Sequence, residues 1–196
     1  MDEERLLSYA QRTDVTVALV PMMGDFVPHG SALFEVWGDA TNLEVKALVE
    51  ALSLGYEHTL QQDPAFGYRQ LVDIAERALS PGINDPTTAV QAIDQLHDLL
   101  RRLARRRFPS AARKDEGGTP RLLCPRPNWD SYVRLAVDEV RQYGRGSIQI
   151  SRRLRFLLED LLRVAPAFRR GELERQLALL EASVTPAFFT SPDLTA

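Results

Sequence analysis

The sequence predicts a mainly α (α+β) protein, in which a helical bundle of about six helices follows a small N-terminal β element. Beyond position 40, apolar residues recur every three to four positions, as they do on one face of a helix. Before that, Val15–Val20 and Ala32–Trp37 are rich in β-branched and aromatic residues, which favours two strands. The chain has 196 residues, 44% of them hydrophobic, which is enough for one domain with a small appendage. We expect a division into a helix and β element over 1–40 and a helical domain over 41–196.

The N-terminal part begins with a short helix over 2–12, which Asp14 ends. The two strands follow, and the turn-rich segment 21–30 separates them. Residues 24–36 resemble one half of a biotinyl/lipoyl-type barrel-sandwich motif, G-D-x-V-x-x-G-x-x-L-x-x-V.

That resemblance implies a small core to which Val27, Leu33 and Val36 contribute. A carrier domain of this type needs an exposed lysine for its cofactor, and the segment contains none. We therefore expect a structural β element and no cofactor. The open edges of such a half-barrel favour oligomerisation.

Local signals mark the starts and ends of the later helices. Asp85 is a predicted N-cap with Pro86 at the first helical position, and Ser147 is a second predicted cap. Residues 80–84 read Ser-Pro-Gly-Ile-Asn and predict a turn. Residues 108–128 contain four prolines and a Gly-Gly pair, so a flexible loop or a small hairpin is expected.

The predicted helices cover about 41–54 (capped by Thr41 or Asn42), 66–79, 86–104 with a frayed end at 105–107, 128–143, 147–161 and 171–184. The predicted buried face of the second of these is Leu71, Ile74, Ala75 and Ala78.

Simple counts exclude several classes of protein. The single cysteine, Cys124, excludes an internal disulfide framework and a cysteine-rich zinc site. His29, His58 and His97 show no paired spacing, so no metal site is expected. The longest charge-free apolar run, near 15–24, is far shorter than the ~20 residues that span a bilayer, and the acidic first residues are not those of a secretory signal. A cytoplasmic location is expected.

Charge is distributed unevenly along the chain. Residues 1–63 carry 11 acidic and 3 basic side chains, a net charge of -8, whereas residues 64–196 carry a net +5. Nine basic side chains lie within 101–126. These two poles could pair between subunits of a homo-oligomer, or the basic pole could face an anionic membrane surface. No aromatic residues are interleaved with the arginines, so nucleic acid is not an expected partner.

One run of residues is far more distinctive than the rest. Residues 62–86 read Q-D-P-A-F-G-Y-R-Q-L-V-D-I-A-E-R-A-L-S-P-G-I-N-D-P, and residues 141–146 read R-Q-Y-G-R-G. These motifs resemble a bacterial family of predicted membrane proteins, the domain of unknown function twenty-two fifty-four, and the resemblance covers essentially the whole chain. It implies a cytosolic portion that follows a transmembrane N-terminal half. This chain lacks such a half, so we expect an excised soluble domain or a short relative, either in the cytoplasm or at the inner face of the cell membrane. The resemblance implies no established activity.

The same run supplies the candidate ligand-binding residues. Arg69, Asp73 and Arg77 recur at four-residue spacing and share one stripe of a helix. They indicate either an arginine-lined anion site, aided by the N-terminus of the helix that starts at Asp85, or an intrahelical salt-bridge ladder. Asn84 and Asp85 are explained by turn and cap chemistry, with catalysis as the alternative. Arg141 completes the set.

Three functions are therefore considered. The first is a non-enzymatic, self-associating or regulatory cytosolic module of a membrane protein, with no catalytic residues. The second is a binding module for a small anionic ligand through the arginines of the middle helix. The third is a hydrolase that uses Asp63, Asp73 or Asp85, although no nucleophile–base pair is visible.

Overall fold

A computed structural model describes residues 1–39, 41, 43–53, 55 and 63–183. Within those residues there are seven α-helices, one short 3-10 helix and four strands, which confirms the mainly helical α+β class. The chain forms two compact units. Unit 1 is Met1–Asp63 with Pro109–Pro127, and unit 2 is Pro64–Phe108 with Asn128–Ala196. The division at residue 40 stays a prediction.

The part of unit 1 that the structure describes combines two helices with four short strands. Asp2 caps the first helix, because its carboxylate accepts a hydrogen bond from the Arg5 backbone N–H at 3.0 Å. The second helix is shorter than the predicted 41–54 and starts after Glu44, which makes no side-chain cap. Asn42, a predicted cap of this helix, and Leu54, its predicted last residue, lie outside the described residues. The elements are α1 (Glu3–Arg12), β1 (Thr16–Leu19), β2 (Phe34–Trp37), α2 (Val45–Glu50), β3 (Ala112–Lys114) and β4 (Pro120–Leu123).

The four strands of unit 1 form one mixed sheet in the order β2-β1-β4-β3. β1 pairs antiparallel with β2, and it pairs parallel with β4 through the register Val17↔Leu122. β3 and β4 form an antiparallel hairpin, so residues 108–128 adopt the hairpin rather than the flexible loop. The sheet is open, with β2 and β3 at its edges. The three residues expected in the motif core, Val27, Leu33 and Val36, are all half-buried, and Val36 packs against the buried cluster of unit 1.

In its described residues, unit 2 is a bundle of five α-helices. The predicted N-caps Asp85 and Ser147 are confirmed, since each accepts a hydrogen bond from a backbone N–H in the first turn of its helix. Asn128, where the sequence predicted only a helix start, caps its helix in the same way. A 3-10 turn over Ala167–Arg169 leads into the last helix. The helices are α3 (Pro64–Leu79), α4 (Pro86–Leu103), α5 (Trp129–Tyr143), α6 (Ile148–Val164) and α7 (Arg170–Ser183).

The core of unit 2 follows the predicted apolar faces except on α3 and at the end of α5, where Tyr143 is 54% exposed although the pattern placed it on the buried face. The larger difference is on α3. There the buried residues are Tyr68, Val72, Ala75 and Ala78. Ile74, which the pattern placed inside, is 47% exposed. The reason is that α3 packs on both α4 and α5, so its buried face is centred between two partners and not on its own most apolar stripe. Val184 of the last predicted face lies outside the described residues.

The buried cation Arg169 joins the end of α4 to the start of α7. Its guanidinium donates hydrogen bonds to the carbonyl oxygens of Leu103 at 3.0 Å, Ala104 at 2.6 Å and Arg106 at 2.7 Å. These carbonyls are among those left unpaired where a helix ends. The guanidinium carbon lies 4.9 to 5.7 Å from the centres of three rings, those of Phe108, Trp129 and Phe168. The positive charge is therefore balanced by helix-end carbonyls and aromatic faces.

Candidate functional site

Arg69 is tied to a neighbouring helix. Its guanidinium makes an ion pair with Glu139 of α5, a residue seventy positions away. Asp73 and Arg77 lie exposed on α3, and among the described residues neither makes an ion pair with Arg69 or with the other. The three residues share one side of α3 as predicted, but Arg69 makes its ion pair with a neighbouring helix and not within α3.

Glu76 is the carboxylate next to Arg69 that the sequence did not indicate. Burial, a hydrogen bond with Glu139 and repulsion from Glu139 and Asp73 raise the pKa of Glu76, while Arg69 opposes that shift. Two carboxyl groups in contact hold a proton more tightly than either does alone. The candidate anion site is therefore bordered by three carboxyl groups. Glu76 carried no signal of its own, because Glu139 is remote in the sequence.

Asn84 and Asp85 form the turn that starts α4. Asn84 has a φ of 48°, the left-handed region that asparagine tolerates better than most residues. Asp85 accepts hydrogen bonds from the backbone N–H groups of Thr87 and Thr88, both at 3.1 Å, and from the Thr88 hydroxyl. These bonds, above all the one from the Thr88 hydroxyl, hold the pKa of Asp85 below its usual value. Both residues thus have a structural role in the turn and cap.

Arg141 lies on α5, apart from the residues above. It makes one long ion pair of 3.4 Å with Asp138, which also accepts a hydrogen bond of 2.8 Å from the buried Gln176. Within the described part of the chain, no side-chain hydrogen bond or ion pair joins any two of the six predicted site residues. The six do not form a connected constellation.

A buried polar cluster that the sequence did not predict joins α4 to α6. His97 Nε2 lies 2.9 Å from an Asp160 carboxylate oxygen, and His97 Nδ1 lies 2.9 Å from Arg153 Nη2. An arginine can only donate, so Nδ1 must be the acceptor and Nε2 carries the hydrogen that Asp160 accepts. Arg101 also binds Asp160, and Asp94 binds Arg153.

The electrostatics of this cluster favour a neutral imidazole. Burial, and after it the Arg153 charge, lower the pKa of His97 despite the neighbouring Asp160. Burial acts to raise the pKa of Asp160, but hydrogen bonds from Arg101 and His97 outweigh it and the pKa is lowered. Both ring nitrogens of His97 are occupied, so neither can bind a metal or accept a proton from a substrate. Among the described residues, no three His, Cys, Asp or Glu side chains are placed to hold a metal ion; His58 lies outside them.

The arginine-rich segment 101–126 is divided between the two units. Five of its nine basic residues belong to unit 2 and four to unit 1. Ion pairs with carboxylates engage five of the nine: Arg101 with Asp160, Arg102 with Asp98, Arg113 and Arg126 with Glu3, and Arg121 with Asp14 and Asp115. In unit 1 the predicted acidic and basic poles therefore neutralise each other in part. An anionic membrane surface as a partner stays a prediction.

Comparisons with known proteins place the chain in a family. It matches the family model described as "Predicted membrane protein (DUF2254)" over residues 1–160. It is 31% identical, over 200 aligned residues, to the uncharacterised proteins MT1328 of Mycobacterium tuberculosis and Mb1321c of Mycobacterium bovis, and each alignment covers 98% of this chain. No solved structure matches.

The chain spans 38% of the length of the curated relatives that it matches. No helix in the described residues combines the length and the apolar composition needed to cross a bilayer. The relatives are uncharacterised and bring no activity with them. By the family model and by these relatives, the chain belongs to the DUF2254 family of predicted membrane proteins.

Proposed function

We propose that this portion of the family is a non-enzymatic cytosolic module through which copies of a membrane protein associate. The observation that carries the proposal is the open β2 edge of the unit 1 sheet, which ends in an exposed tryptophan and follows a segment with further exposed apolar side chains. The partner of this edge is the same edge of a second copy of the protein.

The β2 edge offers unpaired backbone groups. β2 pairs with β1 on one side only, and outside that pairing its residues make no backbone hydrogen bond within the described part of the chain. Such an edge is a template for another strand. Two identical edges that pair antiparallel are related by a two-fold axis, so the contact closes at a dimer.

Exposed apolar side chains lie on β2 and in the segment that precedes it. Trp37, the last residue of β2, is 51% exposed, and Phe26, in the segment between β1 and β2, is 88% exposed. Aromatic residues and methionine are enriched at protein interfaces. The same segment exposes three further apolar residues: Val20, Met22 and Met23.

Sedimentation velocity over a range of concentrations tests this proposal. We expect the native chain to form dimers, and Trp37→Lys to weaken dimerisation by at least about tenfold, since interface tryptophans often contribute more than 1.4 kcal/mol. The matched control is Val45→Lys, which makes the same change of charge at an exposed residue of α2 in the same unit. A native chain that remains monomeric up to about 1 mM, or equal effects of the two variants, would contradict the proposal.

The two alternatives have less support. Arg69 is engaged by Glu139, and carboxyl groups border the arginine stripe, which disfavours an anion. For the hydrolase, Asp85 serves as a helix cap and Asp73 lies exposed on α3. Anion binding and hydrolysis stay predictions. Anion binding is tested by a thermal-shift screen with phosphorylated metabolites. If the prediction is right, a metabolite raises the melting temperature of the native chain and Arg69→Ala abolishes that shift.

A further inference from the structure

Two segments at one end of unit 2 contain eight arginines and no acidic residue. Five of the arginines lie in 101–108, where α4 ends, and three lie in 163–171, which runs from the last turn of α6 to the start of α7. Arg169 joins the two segments, because its guanidinium donates hydrogen bonds to carbonyl oxygens at the end of α4. The two basic segments are therefore neighbours in the folded unit.

The arginines that follow α4 are not neutralised by carboxylates. Arg105, Arg106 and Arg107 are exposed, and within the described part of the chain none of the three makes an ion pair. The acidic partners of this region bind the two arginines before them, Arg101 and Arg102. This end of unit 2 therefore presents positive charge to its surroundings.

An exposed phenylalanine lies beside these arginines. Phe168, in the 3-10 turn Ala167–Arg169, is 81% exposed. The centre of its ring is 5.4 Å from the guanidinium carbon of Arg169, and the same guanidinium donates to the carbonyl oxygen of Arg106 at 2.7 Å. The buried arginine anchors the turn, so the ring is held at the surface next to the basic run.

We infer that this end of unit 2 docks on an anionic membrane surface. Clustered arginines are attracted to anionic lipid headgroups, and an apolar ring among them suits the boundary between headgroups and acyl chains. The family to which the chain belongs is described as predicted membrane proteins, which favours a bilayer over other anionic partners. The inference concerns unit 2 and is independent of the proposed association through β2.

Co-sedimentation of the chain with lipid vesicles tests this inference. Vesicles of equal parts phosphatidylglycerol and phosphatidylcholine supply the anionic surface, and vesicles of phosphatidylcholine alone are the neutral comparison. In a buffer of about 0.1 M ionic strength, we expect the native chain to bind the anionic vesicles at least about tenfold more tightly than the neutral ones.

Two changes within the patch should each weaken binding to the anionic vesicles by about tenfold or more. Phe168→Ser removes the apolar ring, whose burial contributes at least that factor. Arg105→Gln combined with Arg107→Gln removes two of the exposed charges, each of which adds severalfold to binding at an anionic surface. Thermal unfolding of every variant checks that it is folded, and the arginine pair tests the patch without altering the turn.

Two matched controls make the result specific. Arg145→Gln combined with Arg152→Gln removes the same charge near the start of α6, whereas the basic segment 163–171 begins at the other end of that helix, so binding should be nearly unchanged. Phe168→Leu keeps an apolar side chain in the turn and should bind nearly as well as the native chain.

Three outcomes would overturn the inference. The first is a native chain that does not bind the anionic vesicles. The second is an equal loss of binding in the two arginine pairs, because the contact would then depend on the charge of the whole unit and not on this patch. The third is binding of a single-stranded oligonucleotide without binding of vesicles, which would assign the patch to nucleic acid.

Discussion

His97 is held as a neutral imidazole by two residues of α6. Arg153 donates to Nδ1 and Asp160 accepts from Nε2, so protonation of the ring would convert the first contact into a repulsion between two cations. Burial lowers the pKa of His97 in the same direction. Protonation of His97 at low pH would therefore weaken the contact between α4 and α6.

The first prediction is a loss of stability on mild acidification. An unfolded chain binds a proton at His97 near the ordinary imidazole pKa of 6.5, whereas the folded chain does so only at lower pH. The contribution of this residue is therefore complete above pH 6.5 and is lost as the pH falls from there toward the lowered folded value. Thermal unfolding at a series of pH values should show this decline in the native chain.

The matched variants for that measurement are two histidine-to-glutamine changes. His97→Gln can still accept from Arg153 and donate to Asp160 but does not titrate, so its unfolding temperature should depend less on pH. His29→Gln removes an exposed histidine of unit 1 and should retain the native pH dependence. The reverse pattern would show that another group is responsible.

Arg169 is the residue whose loss we expect to be most damaging. Arg169→Met removes the donor to three carbonyl groups and should lower the free energy of unfolding by about 2–4 kcal/mol, because buried acceptors are left unpaired. Arg169→Lys keeps the positive charge but lacks the planar guanidinium that donates several hydrogen bonds and stacks on the rings. We therefore expect it to lower the free energy of unfolding by less than Arg169→Met does. Chemical denaturation measures both. Equal stability of native and Arg169→Met proteins would refute the structural role.

At the scale of elements, side chains bind the free backbone N–H and C=O groups at the two ends of α4. Asp85 caps the first turn, and Arg169 pairs the last carbonyls. Its buried face contacts α3, α5 and α6. Side chains at both ends of this helix therefore contribute to the stability of unit 2.

The prediction for this element is a moderate effect of removing the N-cap. Asp85→Ala should lower the free energy of unfolding by about 1 kcal/mol, which corresponds to a fall of about 2–4 °C in the melting temperature of a chain of this size. Asp85→Asn keeps the acceptor and should have nearly native stability. If Asp85→Asn were as destabilising as Asp85→Ala, the negative charge of the carboxylate, and not its role as an acceptor, would be what stabilises the helix start.

At the scale of the whole molecule, the charge of each unit differs from that of the chain. Residues 109–127 add four basic and two acidic side chains to the -8 of residues 1–63, so unit 1 has a net charge of -6, and unit 2 has +3. Two copies that meet through unit 1 therefore repel each other at long range.

A dependence of dimerisation on salt follows. Raising the ionic strength from about 0.01 M to 0.15 M shortens the Debye length from about 30 Å to 8 Å, and we expect it to tighten dimerisation through unit 1. Sedimentation velocity in the two buffers measures the effect. Dimers that dissociate as salt is added would point instead to contact between acidic and basic surfaces, which is the head-to-tail pairing of poles.

Much of the fold was predictable because its signals are local. The caps at Asp85 and Ser147, the helix start at Asn128 and the apolar faces of α4, α5 and α6 depend on residues within a few positions of each other. The same holds for the family motif at 62–86. The candidate site was less predictable, since Arg69 pairs with Glu139 and His97 with Asp160, and neither pairing leaves a trace in local spacing.

By itself, the sequence determined the helical class, the starts of the main helices, the family and the uneven charge. Only the tertiary structure decided that the segment 109–127 joins the N-terminal sheet, that Ile74 faces outward, and that His97 is enclosed by α6. The physical reason is the range of the interactions. Periodicity and capping act within one or two helical turns, whereas parallel strand pairing, the direction of a buried face and the partner of a buried charge are set by residues that meet only after the chain has folded.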